Sequence, residues 1–164
     1  MQRKKLDSRR AGIDNNGYLI TAPEFKRSNN NVQLLRIIIT SIETKIDFGY
    51  QATSYYIRGG WIKISPKTFI RPCGSNKKLI LENATNIPFG PEKLHFNSSI
   101  EWRYFSLHFP SLLSQGSNDN FKGNFYFPFS AQEIDLIEQE NGTPNDFNFY
   151  GIRLDDRNKI SLIY

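Results

Sequence analysis

The clearest hydrophobic pattern in the chain lies at 101–109, Glu-Trp-Arg-Tyr-Phe-Ser-Leu-His-Phe. Successive side chains of a strand point to opposite faces of a sheet, so strict alternation predicts a strand with one buried side. The apolar face carries Phe105, Leu107 and Phe109. The opposite face carries Tyr104, Ser106 and His108. We expect the remaining strands to cover the apolar face.

Short apolar or alternating segments recur along the rest of the chain, separated by turn residues. The predicted strands are 32–39, 42–50, 54–57, 61–65, 69–71, 77–81 and 147–154. Segment 17–21 predicts a short edge strand, and the apolar positions of 147–154 change register near Gly151, which predicts a bulge. About eight or nine short strands without alternating helices favour an all-β sandwich over an α/β fold. A closed barrel, which has no sheet edges, is the alternative.

Glycine, proline and asparagine mark the predicted turns and loops. Segment 72–76 has the composition of a turn. Segment 83–96, which follows the predicted strand 77–81, contains two prolines. Proline cannot donate a ladder hydrogen bond, so 83–96 is not predicted to be a central strand. Segment 110–123 is rich in serine, asparagine and glycine, and we expect an exposed loop or a disordered insertion there. The whole insertion is predicted to cover 111–129.

Segment 133–138 is consistent with two structures. Ser-Ala-Gln-Glu at 130–133 matches a capping box, which predicts a helical turn. Ile134 and Leu136 alternate with Asp135, which fits a strand equally well.

With 164 residues, the chain is long enough for one domain with a buried core. Aromatic residues make up 14% of it, which favours sheets over helices. Composition divides the chain into three parts. We expect a basic, partly irregular N-terminal extension at 1–31, a sandwich domain at 32–154, and a linker or final strand at 155–164.

The net charge of +5 raises the question of nucleic-acid or membrane-surface binding. Residues 1–10 contain five Lys or Arg and one Asp, a net charge of +4, which leaves +1 for 11–164. The positive charge belongs mainly to the extension, so we do not expect nucleic acid to be the principal partner.

Cys73 is the only cysteine, which excludes an internal disulfide and a cysteine-rich zinc site. The chain contains no apolar run of about 18 residues and no apolar signal-peptide core near its start. We therefore expect no membrane-spanning segment, and a cytoplasmic protein if the sequence is complete as given.

Five segments between 33 and 154 share their order and approximate spacing with a known kind of domain. They are 60–65 (Gly-Trp-Ile-Lys-Ile-Ser), 78–81 (Lys-Leu-Ile-Leu) with Ala84, Ile87, Pro88 and Phe89, 105–110 (Phe-Ser-Leu-His-Phe-Pro), 134–138 (Ile-Asp-Leu-Ile-Glu) and 147–154 (Phe-Asn-Phe-Tyr-Gly-Ile-Arg-Leu). The chain resembles an immunoglobulin-like β-sandwich domain of Bacteroidota-type bacteria, found ahead of thioredoxin-like domains in cell-envelope lipoproteins. The resemblance implies an immunoglobulin-like antiparallel sandwich, a strand at 134–138, a cell-envelope or periplasmic location, and a non-catalytic accessory domain without a cofactor. Segment 111–129 departs from the family, whose corresponding link is short and proline-rich.

Candidate catalytic and metal-binding residues are few. His108 shares a predicted face with Ser106, so a hydroxyl–imidazole pair is conceivable, but no nucleophile motif such as GxSxG is present. The acidic group Glu133, Asp135, Glu138 and Glu140 has Ca²⁺-type oxygen ligands without the DxDxDG-type loop, and we expect no metal site.

Cations and aromatics are interleaved at Arg58, Trp61, Lys63, Arg103 and Tyr104. On an exposed sheet face, such side chains stack against nucleic-acid bases or sugars. The alternative is that Trp61 and Trp102 fill the core and the cations are ordinary surface groups.

The lack of a catalytic pattern, together with the resemblance, predicts a non-enzymatic domain that contacts another protein or an adjacent domain. Binding residues concentrate on loops held by a rigid scaffold, so we place the contact surface at 111–129. Its aromatic candidates are Phe121, Phe125, Tyr126 and Phe127. Two alternatives are kept. One is a module for single-stranded nucleic acid or carbohydrate that uses Arg58, Trp61 and Lys63, and the other is an enzyme with His108 at its site.

Overall fold

The computed structural model describes residues 17–28, 32–51, 61–96, 102–112, 133–140, 147–154 and 159–161. These parts contain thirteen β-strands and no helix. The strands are β1 (Gly17–Thr21), β2 (Arg27–Ser28), β3 (Val32–Thr40), β4 (Glu43–Gln51), β5 (Trp61–Ile62), β6 (Phe69–Pro72), β7 (Leu79–Ile80), β8 (Asn83–Thr85), β9 (Leu94–His95), β10 (Trp102–Pro110), β11 (Glu133–Ile137), β12 (Phe149–Arg153) and β13 (Lys159–Ser161). The all-β prediction is confirmed. There are more strands than the eight or nine predicted because several irregular segments pair over only two or three residues.

The strands form three sheets whose ladders are all antiparallel. The six-stranded sheet has the order β13-β1-β3-β4-β10-β8, the five-stranded sheet β2-β12-β11-β6-β7, and β5 pairs with β9. Both large sheets keep separate end strands. The described strands therefore form a sandwich, and the closed-barrel alternative is excluded for them.

The inner faces of the two large sheets meet through an inter-sheet phenylalanine cluster of Phe48, Phe105, Phe149 and Phe147, the last of which lies just before β12. The ring centroids of Phe48 and Phe149 are 5.7 Å apart, and those of Phe105 and Phe147 are 5.8 Å apart. Phe48 and Phe105 stack on each other within the six-stranded sheet, at 5.1 Å. None of the four is more than 6% exposed. Burial of one such side chain contributes roughly 1.5–3 kcal/mol, so this cluster is a major part of what holds the sheets together.

Strand β10 has the predicted two faces. Phe105, Leu107 and Phe109 are buried in the core, whereas Tyr104 is exposed and Ser106 and His108 are half-buried. The strand pairs with β4 over nine residues, from Trp102 opposite Gln51 to Pro110 opposite Glu43. Its outward side chains are therefore held on a long, regular ladder.

Two segments pass from one large sheet to the other. In 79–85, β7 pairs with β6 of the five-stranded sheet and β8 pairs with β10 of the six-stranded sheet. In 17–28, β1 pairs with β3 and β2 pairs with β12. Since β8 and β1 lie near opposite ends of their sheet, continuous chain crosses at both margins of the sandwich.

The predicted N-terminal extension is partly inside the fold, because its described residues form β1 and β2. The prediction of an edge strand at 17–21 is wrong. Strand β1 lies between β3 and β13, and the end position is taken by β13. For 155–164, the alternatives were a linker and a final strand. The described residues of this segment form β13, which is a strand.

Segment 133–138 is a strand rather than a helical turn, since β11 pairs with β12 on one side and β6 on the other. Segment 83–96 is not a central strand, as predicted, and its β8 is an end strand.

The prediction that the insertion at 111–129 is exposed is wrong for its first two residues. Ser111 and Leu112 are buried, and the Leu112 N–H donates to the hydroxyl of Thr44 at 2.9 Å. Predicted strand 54–57 lies outside the described residues.

The bulge predicted near Gly151 is present, because the register between β11 and β12 shifts between Ile134 and Leu136. Gly151 has φ +64°, and its N–H donates to the carboxylate of Asp135 at 2.9 Å. A Cβ atom built on Gly151 would lie 2.6 Å from Cδ of Lys26. Glycine is therefore required both by the backbone conformation and by the close approach of Lys26.

We expect Gly151→Ala to lower the free energy of unfolding by about 1–3 kcal/mol, because alanine is strained at positive φ and displaces Lys26. Gly74→Ala is the matched control, since Gly74 has φ +85° but no heavy atom within 4 Å of its Cβ position. Urea denaturation of both variants measures the difference. Equal losses would contradict the contribution of the Lys26 contact.

Candidate functional site

The outer face of the six-stranded sheet carries two exposed aromatic rings. Trp102 and Tyr104 are 44% and 61% exposed, and both point away from the core on β10. Their ring centroids are 6.1 Å apart and the ring planes differ by 11°. We call these two residues the aromatic pair.

Gly49 allows the aromatic pair to pack close to the backbone of β4. It lies opposite Tyr104 in the register. A Cβ atom there would lie 3.2 Å from Cζ3 of Trp102 and 3.4 Å from Cε1 of Tyr104. Any larger residue would push the rings outward, so the missing side chain keeps them against the sheet.

A buried carboxylate follows the aromatic pair along the same face. Asp47 accepts hydrogen bonds from the hydroxyl of Ser106 at 2.6 Å and from Nε of Arg36 at 2.5 Å. Burial alone would raise the pKa of Asp47, but the hydrogen bonds from Ser106 and Arg36, with the charge of Lys45, lower it below its usual 3.8. Asp47 is therefore ionised and fully engaged at neutral pH.

Beyond Asp47, a hydroxyl, an imidazole and a carboxylate from three neighbouring strands meet. Nδ1 of His108 lies 2.9 Å from Oε1 of Glu43, and Nε2 of His108 lies 2.9 Å from the hydroxyl of Thr85. Alternation along β10 predicts the outward position of His108 but cannot identify these partners. Glu43 and Thr85 are far away in sequence and reach His108 only through the registers of β4 and β8.

The predicted cation–aromatic surface is only partly assembled. Trp61 is 41% exposed, and Nζ of Lys63 lies 5.5 Å from the centre of one of its rings. Nζ of Lys93, which the sequence did not single out, is closer at 4.1 Å. Arg103 and Tyr104 are consecutive on β10 and point to opposite faces, so they do not form one surface together.

The alternative that both tryptophans fill the core is wrong, since Trp61 and Trp102 are both exposed. The other predicted contact residues lie outside the described residues. They are Arg58, Phe121, Phe125, Tyr126 and Phe127.

The acidic residues near β11 are engaged by separate partners. Glu133 pairs with Lys26 at 3.0 Å, and Glu138 accepts the N–H groups of Ser65 and Phe147, both at 3.0 Å. Within the described ranges, no three His, Cys, Asp or Glu side chains are grouped so that they could hold a metal ion. Burial, followed by the hydrogen bond with Asp135, raises the pKa of Cys73 to about 11, so this thiol is not a ready nucleophile.

A groove of about 710 Å³ lies over Phe69 on the five-stranded sheet. Lys78 lies above this ring, with Nζ 4.5 Å from its centre, and pairs with Glu140. The groove is thus crossed by the protein's own ion pair. Of the described candidates, Trp61 and Lys63 do not line this groove, whereas Glu138 and Glu140 of the acidic group do.

No protein-family model, curated protein or solved structure matches this chain. The relationship to immunoglobulin-like domains of cell-envelope lipoproteins therefore stays a prediction, and the candidate site is assessed from its own geometry. None of the described elements is a helix with the length and hydrophobicity needed to span a bilayer.

We expect Asp47→Asn to lower the free energy of unfolding at neutral pH by about 1–3 kcal/mol, because the amide weakens two hydrogen bonds at a buried position. The lowered pKa means that Asp47 stabilises the fold fully above about pH 4 and loses this effect as the pH falls through the folded-state value. Urea denaturation at neutral pH and in acid measures both effects. The difference between wild type and variant should shrink in acid, and a pH-independent difference would contradict this assignment. Glu82→Gln, at an exposed carboxylate, is the control.

Proposed function

We propose that the outer face of the six-stranded sheet binds another protein, with the aromatic pair at the centre of the contact. The observation that carries this proposal is the exposure of Trp102 and Tyr104 side by side on a regular strand. Tryptophan and tyrosine dominate the binding energy of protein interfaces because they bury a large area with few rotatable bonds.

The support beneath the aromatic pair favours binding. Its strand is paired along its whole length with β4, and Gly49 holds both rings close to the backbone. A contact surface that is already ordered loses less conformational entropy when a partner binds.

The charges on this face also favour a buried contact. Arg36 is paired with Asp47, and Glu43 lies within hydrogen-bond distance of His108. Charges that already have partners are less costly to remove from water than isolated ones. A partner that covers this face therefore does not need to provide a counter-ion for Arg36 or Asp47.

The alternative of a nucleic-acid or carbohydrate module is less well supported. The ammonium groups of Lys93 and Lys63 lie near Trp61. A base or sugar that stacks on Trp61 would compete with these lysines. The predicted contact at 111–129 remains a separate prediction.

The proposal is tested by photo-cross-linking in the native cells. Tyr104→p-benzoylphenylalanine places the reactive group on the proposed surface, and Ile80→p-benzoylphenylalanine places it on the five-stranded sheet, where Ile80 is 47% exposed. We expect one discrete protein adduct from position 104 that position 80 does not give. The same set of adducts from both positions, or none from position 104, would contradict the proposal.

The identified partner then allows a direct affinity measurement. We expect Trp102→Ala to weaken binding by about 30-fold or more in calorimetric titration, the loss typical of a central aromatic residue. Ile80→Ala removes a similarly exposed apolar side chain and should leave the affinity unchanged. Equal affinity for wild type and Trp102→Ala would show that the contact lies elsewhere.

A further inference from the structure

Two hydrogen-bond contacts link the hydroxyl of Thr85 to the imidazole of His108, and that imidazole to the carboxylate of Glu43. A nucleophile, its general base and an acid that orients the base are linked in the same order. Both hydrogen-bond distances are 2.9 Å. A hydroxyl within hydrogen-bond reach of an imidazole, with the imidazole held by a third group, is the recognised arrangement for activating a nucleophile. This feature lies on the outer face of the six-stranded sheet, beyond Asp47 from the aromatic pair, and the chemistry proposed for it does not require the protein contact.

The direction of both hydrogen bonds follows from the tautomer of His108. In the neutral tautomer with the proton on Nδ1, Nδ1 donates to the carboxylate of Glu43, and Nε2 holds the lone pair. The hydroxyl of Thr85 then donates to Nε2, which is the arrangement that general-base activation requires.

The hydroxyl is accessible from solvent. Thr85 is exposed and is the last residue of β8, which is an end strand of its sheet. Asn83 lies on the same face, opposite His108, and its amide oxygen is engaged by the N–H of Ala84 at 2.8 Å. Its amide N–H₂ group is of the type that stabilises a developing oxyanion.

We propose that Thr85 is the nucleophile of an acyl-transfer site that accepts activated esters, with His108 as general base and Glu43 as the residue that orients it. The Thr85 oxygen forms a bond to the acyl carbon while its proton moves to Nε2 of His108. The bond from the acyl carbon to the leaving oxygen then breaks, and the imidazolium protonates the leaving group. Water, deprotonated by the same nitrogen, hydrolyses the threonine ester and restores the hydroxyl. This activity departs from the non-catalytic role expected from the sequence.

The test uses the full chain and 4-nitrophenyl acetate as the probe, with nitrophenolate release and peptide mass spectrometry as readouts. We expect acetylation of Thr85 in the wild type, retained in Thr85→Ser and lost in Thr85→Val. His108→Gln should slow acetylation of Thr85 by about 100-fold or more, the contribution typical of a general base.

Ser106→Ala is the matched control. Ser106 lies opposite Thr85 in the register, but its hydroxyl donates to Asp47 rather than to an imidazole. Its loss should leave acetylation of Thr85 unchanged. Wild-type protein that neither carries an acetyl group on Thr85 nor releases nitrophenolate faster than Thr85→Val would overturn the proposal. Equal acetylation of Thr85 in wild type and His108→Gln would overturn it as well. If His108→Gln does not fold by circular dichroism, the contrast between Thr85→Ser and Thr85→Val decides.

Discussion

The contact between the inner faces of the two large sheets is the interaction on which the rest of the structure depends. Phe48 of β4 meets Phe149 of β12 at 5.7 Å, and Phe105 meets Phe147 at 5.8 Å. These contacts fix which side of β4 and β10 faces inward. Because side chains alternate along a strand, the same choice determines every residue that faces outward.

The outward residues of β10 are therefore positioned by the core without being part of it. Tyr104, Ser106 and His108 follow one another on this face, and each meets a different environment. Tyr104 lies over Gly49, Ser106 donates to Asp47, and His108 is flanked by Glu43 and Thr85. A single regular strand thus presents, one after another, an exposed aromatic ring, a hydroxyl bonded to a carboxylate and an imidazole.

The sequence was sufficient for the features that depend on local patterns. Alternation identified both faces of β10, and the change of register near Gly151 identified the bulge. The two prolines in 83–96 correctly indicated that this segment is not a central strand. The immunoglobulin-like subtype and the accessory role rest on the resemblance and stay predictions.

Features that depend on long-range pairing could not be obtained in this way. Nothing near 17–21 indicates that β13 would cover it, and nothing near His108 indicates that Glu43 and Thr85 would meet it. The exposure of Trp102 could have been predicted, because Trp102 and Tyr104 are two residues apart on a strand and therefore point to the same face. The alternative that Trp102 fills the core did not take this alternation into account, whereas the structure places the side chain outside.

The central claim is that stability comes from the inner face of β10, whereas the outer aromatic side chains are available for binding. Adjacent residues on this strand test it directly, through the free energies of unfolding of Phe105→Ala and Tyr104→Ala in urea. The account predicts a loss of about 3–5 kcal/mol for Phe105→Ala, since a buried phenylalanine leaves a cavity, and less than about 1 kcal/mol for Tyr104→Ala. Similar losses for the two variants would contradict it.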